Sequence, residues 1–276
     1  MSYVAVLRYK VLAVAMTATL FPAWAGADGL RTEIGVDYST GKYGGALSTD
    51  IWSIPVSVGY AYKSWGLKAT IPWLQVTGPG NVIPGLTPIV QDRRRGASKP
   101  EDFGDDAVAA GTVTSTTTSG IGDLVLSGVY NIVDHPDAWR VGLGGRVKIP
   151  TADETKNLGT GKADYAAQLE LERVLSRWTP FLTIGYRWLG DTATVDFRNQ
   201  PYGIGGIAYK LSQATSVDAS FYWSAPSVTS GPTAADTSIG LAYYVTPNLR
   251  LTAYALYGLA DGSPDWGAGI RTRWSF

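Results

Sequence analysis

The amino-acid sequence predicts an all-β transmembrane protein, an antiparallel up-and-down β-barrel of about twelve strands. Three observations lead to this class. Apolar and polar residues alternate along most of the chain, and no apolar run after the amino terminus has the length of a membrane helix. Short turns also alternate with longer connections. A soluble β-sandwich has no reason to sort its connections by length, so this third observation favours a barrel.

Residues 1–27 predict a cleaved secretion signal. Arg8 and Lys10 precede an apolar stretch over residues 11–20, and the small residues Ala25 and Ala27 offer two cleavage positions. A membrane anchor is the weaker alternative because the apolar run is short. We therefore expect one domain, residues 28–276, in the outer membrane of a Gram-negative bacterium, with both termini in the periplasm.

The composition argues against several classes of function. A formal net charge of zero gives no electrostatic footprint for nucleic acid, and the absence of cysteine removes thiol catalysis and thiolate metal sites. The one histidine, His135, lies in a short turn away from any other candidate member of a catalytic triad. We expect no catalytic residue, no cofactor and no metal site. The pair Asp153 and Glu154 is a weak candidate for calcium.

The predicted strands follow the chain in order. The first four cover residues 32–40, 51–62, 67–76 and 120–132, and Pro72 in the third predicts a bulge or a locally broken ladder. The next five cover residues 139–149, 164–174, 179–189, 202–211 and 216–223. The last three cover residues 237–245, 249–258 and 266–276. In each strand the apolar residues recur at every second position, as expected for one face towards lipid and one towards water.

The last strand, WGAGIRTRWSF, places Trp266, Ile270, Trp274 and the carboxyl-terminal Phe276 on one face. This ending resembles the closing strand by which outer-membrane barrels are recognised and inserted. We therefore expect two partners, the barrel-assembly machinery through the strand that ends at Phe276, and outer-membrane lipid.

The longest connection, residues 77–119, exceeds ordinary loop lengths and is therefore expected to be functional or disordered. It contains an apolar half, residues 82–90, followed by three arginines, an acidic run and a Thr/Ser tract. Folded into the barrel mouth, it would constrict a pore. The charge runs favour the alternative, a solvated loop.

Aromatic residues gather near the predicted strand ends, as expected for girdles at the two lipid–water boundaries. The set comprises Trp52, Tyr62, Trp65, Trp73, Trp139, Trp178, Trp188, Tyr202, Trp223, Trp266, Trp274 and Phe276.

Charged residues of both signs fall on the predicted inner face, so we expect them to line the pore. The basic members are Lys68, Arg140, Arg146, Lys148, Arg187, Arg250, Arg271 and Arg273. The acidic members are Glu33, Asp37, Asp123, Asp164, Glu170, Glu172 and Asp218.

Strand directions predict ionic ladders along the wall. They set Arg140 beside Glu170 and Glu172, Arg146 and Lys148 beside Asp164, and Arg271 and Arg273 beside Glu33 and Asp37. Satisfying charges inside a polar lumen is favoured as their role over solute selectivity. Phe181, Tyr222, Tyr244 and Tyr254 are also expected inside, as lumen filler or as stacking surfaces.

Three segments resemble a known family. They are GIGDLVLSGVY at 120–130, GLGGRVKIPTAD at 142–153 and NLGTGKADY at 157–165. They are similar to the outer-membrane family called "Putative MetA-pathway of phenol degradation". The matching motif positions are Gly122, Asp123, Pro150, Thr151, Gly159, Gly161 and Asp164, whereas Ala152 stands where the family usually has glycine. The resemblance implies uptake of aromatic or other hydrophobic compounds across the outer membrane.

The sequence thus favours a monomeric, passive and narrow channel for small solutes. Two alternatives stay open. One is a plugged barrel with a structural or surface-interaction role. The other, less favoured, is an outer-membrane hydrolase that would use a carboxylate pair in the lumen.

Overall fold

A computed structural model describes residues 28–276 except residues 44, 46, 81, 85–114, 135–138 and 193–194. The predicted secretion signal and His135 therefore lie outside the described residues. Within them, no helix is long and apolar enough to cross a membrane. The strands are β1 (Gly29–Gly41), β2 (Thr49–Tyr62), β3 (Trp65–Gly78), β4 (Thr116–Ile121), β5 (Leu124–Asp134), β6 (Trp139–Ile149), β7 (Asp164–Arg173), β8 (Trp178–Trp188), β9 (Gln200–Lys210), β10 (Thr215–Ser224), β11 (Ala234–Thr246), β12 (Leu249–Gly258) and β13 (Trp266–Ser275).

The sheet closes on itself. Strands that are neighbours in sequence pair antiparallel, except that β4 and β5 both pair with β3, and β1 pairs with β13 from Arg31 opposite Ser275 to Thr40 opposite Trp266. The strands β4 and β5 both pair with β3 and occupy one position in the wall, so the barrel has twelve strands. The predicted fold class is confirmed. Pairing between β1 and β13 removes the two exposed edges that an open sheet would present to lipid.

The interrupted strand lies opposite Pro72. Ladder pairing between β3 and β5 ends at Thr70 opposite Val125, and pairing between β3 and β4 begins at Trp73 opposite Ile121. Between them the Gly122 amide donates to the Pro72 carbonyl oxygen at 2.8 Å. Because proline has no amide hydrogen, the ladder breaks at this point, as the sequence predicted. The sequence predicted one unbroken strand over residues 120–132, whereas the structure divides it into β4 and β5. Residues 116–119, which were assigned to the long loop, belong to β4.

Alternation of burial is clearest in β2. Ile51 and Ser57 on the inner face are 3 % and 4 % exposed, whereas their neighbours Trp52 and Val58 on the outer face are 44 % and 49 % exposed. The same period of two runs through the other strands and leaves an apolar outer surface suited to lipid. One member of the predicted aromatic girdle is wrong. Tyr202 is 7 % exposed and faces inward, in a strand whose glycines blur the alternation of faces in the sequence.

The connections sort by length between the two ends of the barrel. One end carries the turns at residues 63–64, 135–138, 174–177, 211–214 and 247–248. The other carries residues 42–48, 79–115, 150–163, 189–199, 225–233 and 259–265. Strand β1 starts and β13 stops at the short-turn end, where the Phe276 amide donates to the Leu30 carbonyl oxygen at 2.9 Å. The long-connection end is called the mouth below.

Candidate functional site in the barrel interior

Ion pairs join the strands that close the barrel. Arg273 on β13 contacts Glu33 on β1 at 2.7 Å, and Lys68 on β3 reaches the same carboxylate at 3.1 Å. Arg271 contacts Asp37 at 3.0 Å. Direct register between β1 and β13 sets the first pair, since Glu33 lies opposite Arg273, whereas Arg271 lies opposite Gly35 and contacts Asp37 diagonally. The predicted ladder between the first and last strands is confirmed.

The facing wall carries a second group of charges on β6 and β7. Arg140 donates to Glu172 at 2.9 Å, as the sequence predicted. Arg146 lies diagonal to Asp164 in the register, but in the described residues it forms no ion pair with that carboxylate. It lies opposite Ala166 in register, and the carboxylate near it is that of Glu170. The register places Lys148, not Arg146, opposite Asp164.

Lys148 is the centre of a buried cluster near the mouth. Its Nζ lies 2.7 Å from Asp164 Oδ2 and 3.4 Å from Asp123 Oδ2, and it donates to Thr160 Oγ1 at 2.9 Å. The side chains of Lys148, Asp123 and Asp164 are 3 %, 6 % and 5 % exposed. Asp123 also accepts from the Ala152 amide at 3.0 Å. We call Asp123, Lys148, Thr160 and Asp164 the lysine cluster.

The motif positions of the family segments meet around the lysine cluster. Thr151 donates to the Gly122 carbonyl oxygen at 3.1 Å and accepts from the Leu124 amide at 2.9 Å, which ties the connection after Pro150 to the interrupted strand. A Cβ at Gly159 would lie 2.8 Å from the Asp123 carboxylate. Gly161 has a φ of 66°, which favours glycine. These residues are separated in sequence but hold one loop against the wall.

An apolar cluster lies at the mouth. It comprises Tyr43, Ile51, Leu74, Val76, Val82 and Leu158, with Ala152 packed against it. Tyr43 donates to Ser39 Oγ at 3.2 Å, and burial raises the pKa of its hydroxyl, so this side chain stays neutral. Asn157 donates to the Gly80 carbonyl oxygen at 3.3 Å. The start of the long connection is therefore attached to the connection between β6 and β7.

The next residue of that connection reaches the other side of the mouth. Ile83 is 2 % exposed and packs with Phe197, joined by Leu189, Val195 and Val228 from the connections that follow β8 and β10. Val82 and Ile83 thus contact two separate apolar clusters. The expectation of a solvated loop is wrong for residues 82–84, which are buried. Residues 85–114, with the predicted charge runs, lie outside the described part of the chain.

Several long inward side chains lie over glycines of a neighbouring strand. A Cβ at Gly35 would lie 2.8 Å from Arg271 Cγ, and one at Gly144 would lie 2.7 Å from Gln168 Cγ. Glycines 185, 206 and 240 face Tyr202, Phe181 and Asp218 in the same way. Because these glycines carry no side chain, the long groups can lie along the wall instead of across the lumen.

The remaining predicted interior residues are partly or wholly buried on the inner face, except Tyr244, which is 44 % exposed. Arg187 donates to Gln200 Oε1 at 3.3 Å, and its guanidinium lies 5.2 Å from the Tyr202 ring centre. Arg250 lies 5.6 Å from the Tyr244 ring centre. Asp218 faces inward opposite Gly240. Phe181, Tyr222 and Tyr254 also face inward, as their registers require.

Sequence reasoning missed several inward polar residues. Gln168 accepts from the Tyr202 hydroxyl at 2.6 Å, and Arg31 lies near Arg273. Asp236 faces inward next to the mouth and is 1 % exposed. The period of two could have identified Gln168 and Arg31. Tyr202 and Asp236 lay in strands whose bounds or faces were misassigned. In the described residues, no group of three or more His, Cys, Asp and Glu side chains could hold a metal ion.

The chain is similar to a known family and to several solved outer-membrane proteins. The family model described as "Putative MetA-pathway of phenol degradation" matches residues 73–276. An outer-membrane channel from Pseudomonas putida F1 is similar with a TM-score of 0.64 at 13 % identity, covering 91 % of this chain and 96 % of that chain. The NanC porin is similar with a TM-score of 0.52 at 12 % identity, covering 89 % and 98 %.

The β domain of the Bordetella autotransporter BrkA has the same TM-score, 0.52, at 12 % identity, and covers 91 % of this chain and 100 % of that chain. A search of curated proteins gave no match. At these identities the similarity shows the fold, and that fold is shared by barrels with different described roles.

Proposed function

The chain belongs to the family described as "Putative MetA-pathway of phenol degradation" and is an outer-membrane β-barrel, and from this premise we propose that it is a passive channel. Its solutes are small aromatic or otherwise hydrophobic compounds. The family supplies the expectation of aromatic solutes, and the barrel interior supports passage. We also propose that the short turns of the barrel and both ends of the described chain face the periplasm.

The arrangement of long inward side chains over inward glycines is the observation that carries the channel proposal. Arg271 over Gly35 and Tyr202 over Gly185 are two examples in which a bulky group is accommodated at the wall. Side chains at these glycine positions would displace the long groups from the wall towards the lumen, which a plugged barrel would favour and a channel would not. Twelve strands also enclose more space than eight, whose interior side chains alone can fill it.

The proposed lining excludes the lysine cluster. Asp123, Lys148 and Asp164 bind one another and are almost fully buried, so they present little surface to a solute. We propose that these three hold the loop after β6 in place. The proposed lining residues are Glu33, Asp37, Lys68, Arg140, Arg146, Glu170, Glu172, Arg187, Asp218, Arg250, Arg271 and Arg273.

Conductance in a planar lipid bilayer tests the channel proposal. The purified protein is first shown to be folded by its heat-dependent migration in detergent gels. We expect discrete current steps in wild-type protein. A folded sample without current refutes the channel. Swelling of proteoliposomes in phenol compared with an uncharged sugar of larger size then tests the class of solute.

A plugged barrel is the second candidate, and the burial of Val82 and Ile83 between two apolar clusters at the mouth favours it. In this case wild-type protein carries no current. Replacing Ile83 by serine would weaken the contact with Phe197 and open a path. Current in the Ile83→Ser variant alone would therefore identify residues 82–84 as the plug.

A further inference from the structure

The short-turn end of the barrel carries three exposed basic residues on neighbouring strands. Arg173 ends β7, Arg177 lies in the turn at residues 174–177, and Lys210 ends β9. The Lys210 amide donates to the Arg177 carbonyl oxygen at 2.8 Å, which places these two residues side by side. In the part of the chain that the structure describes, none of the three forms an ion pair with a carboxylate. We call Arg173, Arg177 and Lys210 the basic patch.

The basic patch differs from the cations of the lumen. Inside the barrel, Arg273 and Lys148 each meet a carboxylate at 2.7 Å. The acid next to the patch in sequence, Glu172, is buried on the inner face and accepts from Arg140 at 2.9 Å. Because successive residues of a strand face opposite sides, Arg173 points to the outer face and is separated from that carboxylate by the wall. The patch therefore presents uncompensated positive charge to the surroundings of the barrel.

Aromatic rings lie beside the basic patch on the outer face. The Arg173 guanidinium lies 5.3 Å from the ring centre of Trp139 on β6, and the ring centres of Trp178 and Tyr209 are 4.4 Å apart on β8 and β9. The backbones of Leu175 and Trp178 exchange two hydrogen bonds, at 2.7 and 2.9 Å, which fix the turn that carries Arg177. Tryptophan and tyrosine rings favour the boundary between lipid headgroups and acyl chains. These rings therefore place the basic patch at the depth of the headgroups.

An apolar wall continues from the basic patch towards the mouth. Leu143, Leu169, Leu182 and Ile207 are exposed on the outer faces of β6, β7, β8 and β9. These four strands are described along their whole length, and Arg173 is the one charged residue on their outer faces. A lipid whose phosphate lies at the patch can thus lay its acyl chains along an uninterrupted apolar surface.

We propose that the basic patch is a binding site for an anionic diacyl phospholipid. The guanidinium groups of Arg173 and Arg177 and the ammonium group of Lys210 donate to the phosphate oxygens. The rings of Trp139 and Trp178 pack against the glycerol region, and the acyl chains lie on the apolar wall. A zwitterionic phospholipid binds more weakly, because its own cationic group offsets the phosphate charge. The site lies outside the lumen, so it does not depend on the passage of a solute.

Phosphatidylglycerol tests the site, with phosphatidylcholine of the same acyl chains as the zwitterionic probe. The folded protein in a neutral detergent is titrated with each lipid, and native mass spectrometry gives the Kd of the first bound lipid. We expect wild-type protein to bind phosphatidylglycerol about tenfold more tightly, equivalent to about 1.4 kcal/mol. The triple variant Arg173→Gln, Arg177→Gln and Lys210→Gln should prefer phosphatidylglycerol less than twofold.

The matched control removes three exposed cations from the mouth, with the same change in net charge. It combines Lys42→Gln, Lys156→Gln and Lys162→Gln. The control should keep the tenfold preference. Equal loss of the preference in both triple variants, or wild-type protein without a preference, overturns the site. Displacement of the lipid by free glycerol 3-phosphate at millimolar concentration also overturns it, because the site would then take a soluble phosphate without acyl chains.

A second variant covers the case in which the triple glutamine variant does not fold. Arg173→Lys combined with Arg177→Lys keeps both charges at the headgroup, and we expect it to retain the preference. Loss of the preference in this folded variant overturns a site based on charge. Bilayer recordings separate this proposal from the channel. A preference for phosphatidylglycerol without current retains the lipid site and refutes the channel, whereas current without the preference does the reverse.

Discussion

Replacing Lys148 by methionine is expected to destabilise the barrel strongly. Methionine approximates the length of the lysine stem but removes the ammonium group that bridges Asp123 and Asp164. Both carboxylates are then left buried close to each other without a cation. The interruption opposite Pro72 and the connection after β6 are joined through this ammonium group, so the two regions should loosen together.

The magnitude follows from the burial of the cluster. Removing one partner of a buried ion pair costs roughly 3–5 kcal/mol, since it leaves an uncompensated charge. Here Asp123 keeps the Ala152 amide at 3.0 Å, and Asp164 keeps the Gly190 amide at 3.0 Å. These retained hydrogen bonds from backbone amides partly stabilise the two carboxylates after the ammonium group is removed. We therefore expect about 3 kcal/mol, the lower end of that range.

The assay is urea unfolding of the barrel in lipid vesicles, followed by tryptophan fluorescence. A lower midpoint with an unchanged slope indicates lost stability without a change in the surface exposed. The matched control is Lys156→Met in the same connection, where Lys156 lies 3.7 Å from Asp153 with both side chains about half exposed. The control should unfold close to wild type, because exposed ion pairs contribute little.

A further variant separates charge from packing. In Lys148→Met combined with Asp123→Asn and Asp164→Asn, no buried charge is left unpaired, so we expect much of the lost stability to return. The reasoning is refuted if Lys148→Met unfolds at the wild-type urea concentration, or if the triple variant is less stable than the single one.

Three further outcomes are expected. Ile83→Ser should raise single-channel conductance in planar bilayers, because it weakens the apolar contact across the mouth; an unchanged conductance would contradict a constriction there. Gly185→Ala should lower conductance, because the new methyl group displaces Tyr202 towards the lumen, whereas Gly145→Ala, on the outer face, should not. Deleting Phe276 should reduce the amount of barrel inserted in the outer membrane of cells. Spontaneous refolding in detergent should be unchanged, because the described contact of the Phe276 backbone is one hydrogen bond to Leu30. Equal losses in both assays would contradict the proposed role of Phe276 in recognition by the assembly machinery.

The strand pattern and the closing ion pairs could be predicted because they depend on one period. Once β1 and β13 are assigned as neighbours running in opposite directions, alternation alone places Asp37 near Arg271 and Glu33 near Arg273. A slip of one residue in either strand would have moved the two charges of that strand to the lipid face. Tyr202 shows the limit of this reasoning, because glycines in β9 weaken the alternation from which its face was inferred.

The structure around the mouth could not be predicted from periodicity. Val82 and Ile83 are adjacent in a loop, and their burial depends on apolar residues from four other connections and two strands. The run of charges later in the same loop suggested solvent. Loop residues have no fixed period, so the expectation rested on the composition of the whole segment and could not single out residues 82–84.

Arg146 and Lys148 illustrate the same limit within one strand, and they permit a sharper test. They are two residues apart on one face and look equivalent in sequence, yet Lys148 is enclosed by two carboxylates and Arg146 meets none in register. We expect Arg146→Gln to keep the wild-type urea midpoint, because no ion pair is lost. If Arg146→Gln lowered the urea midpoint as far as Lys148→Met does, the distinction between an ammonium that bridges two buried carboxylates and a guanidinium with no carboxylate opposite it in register would fail.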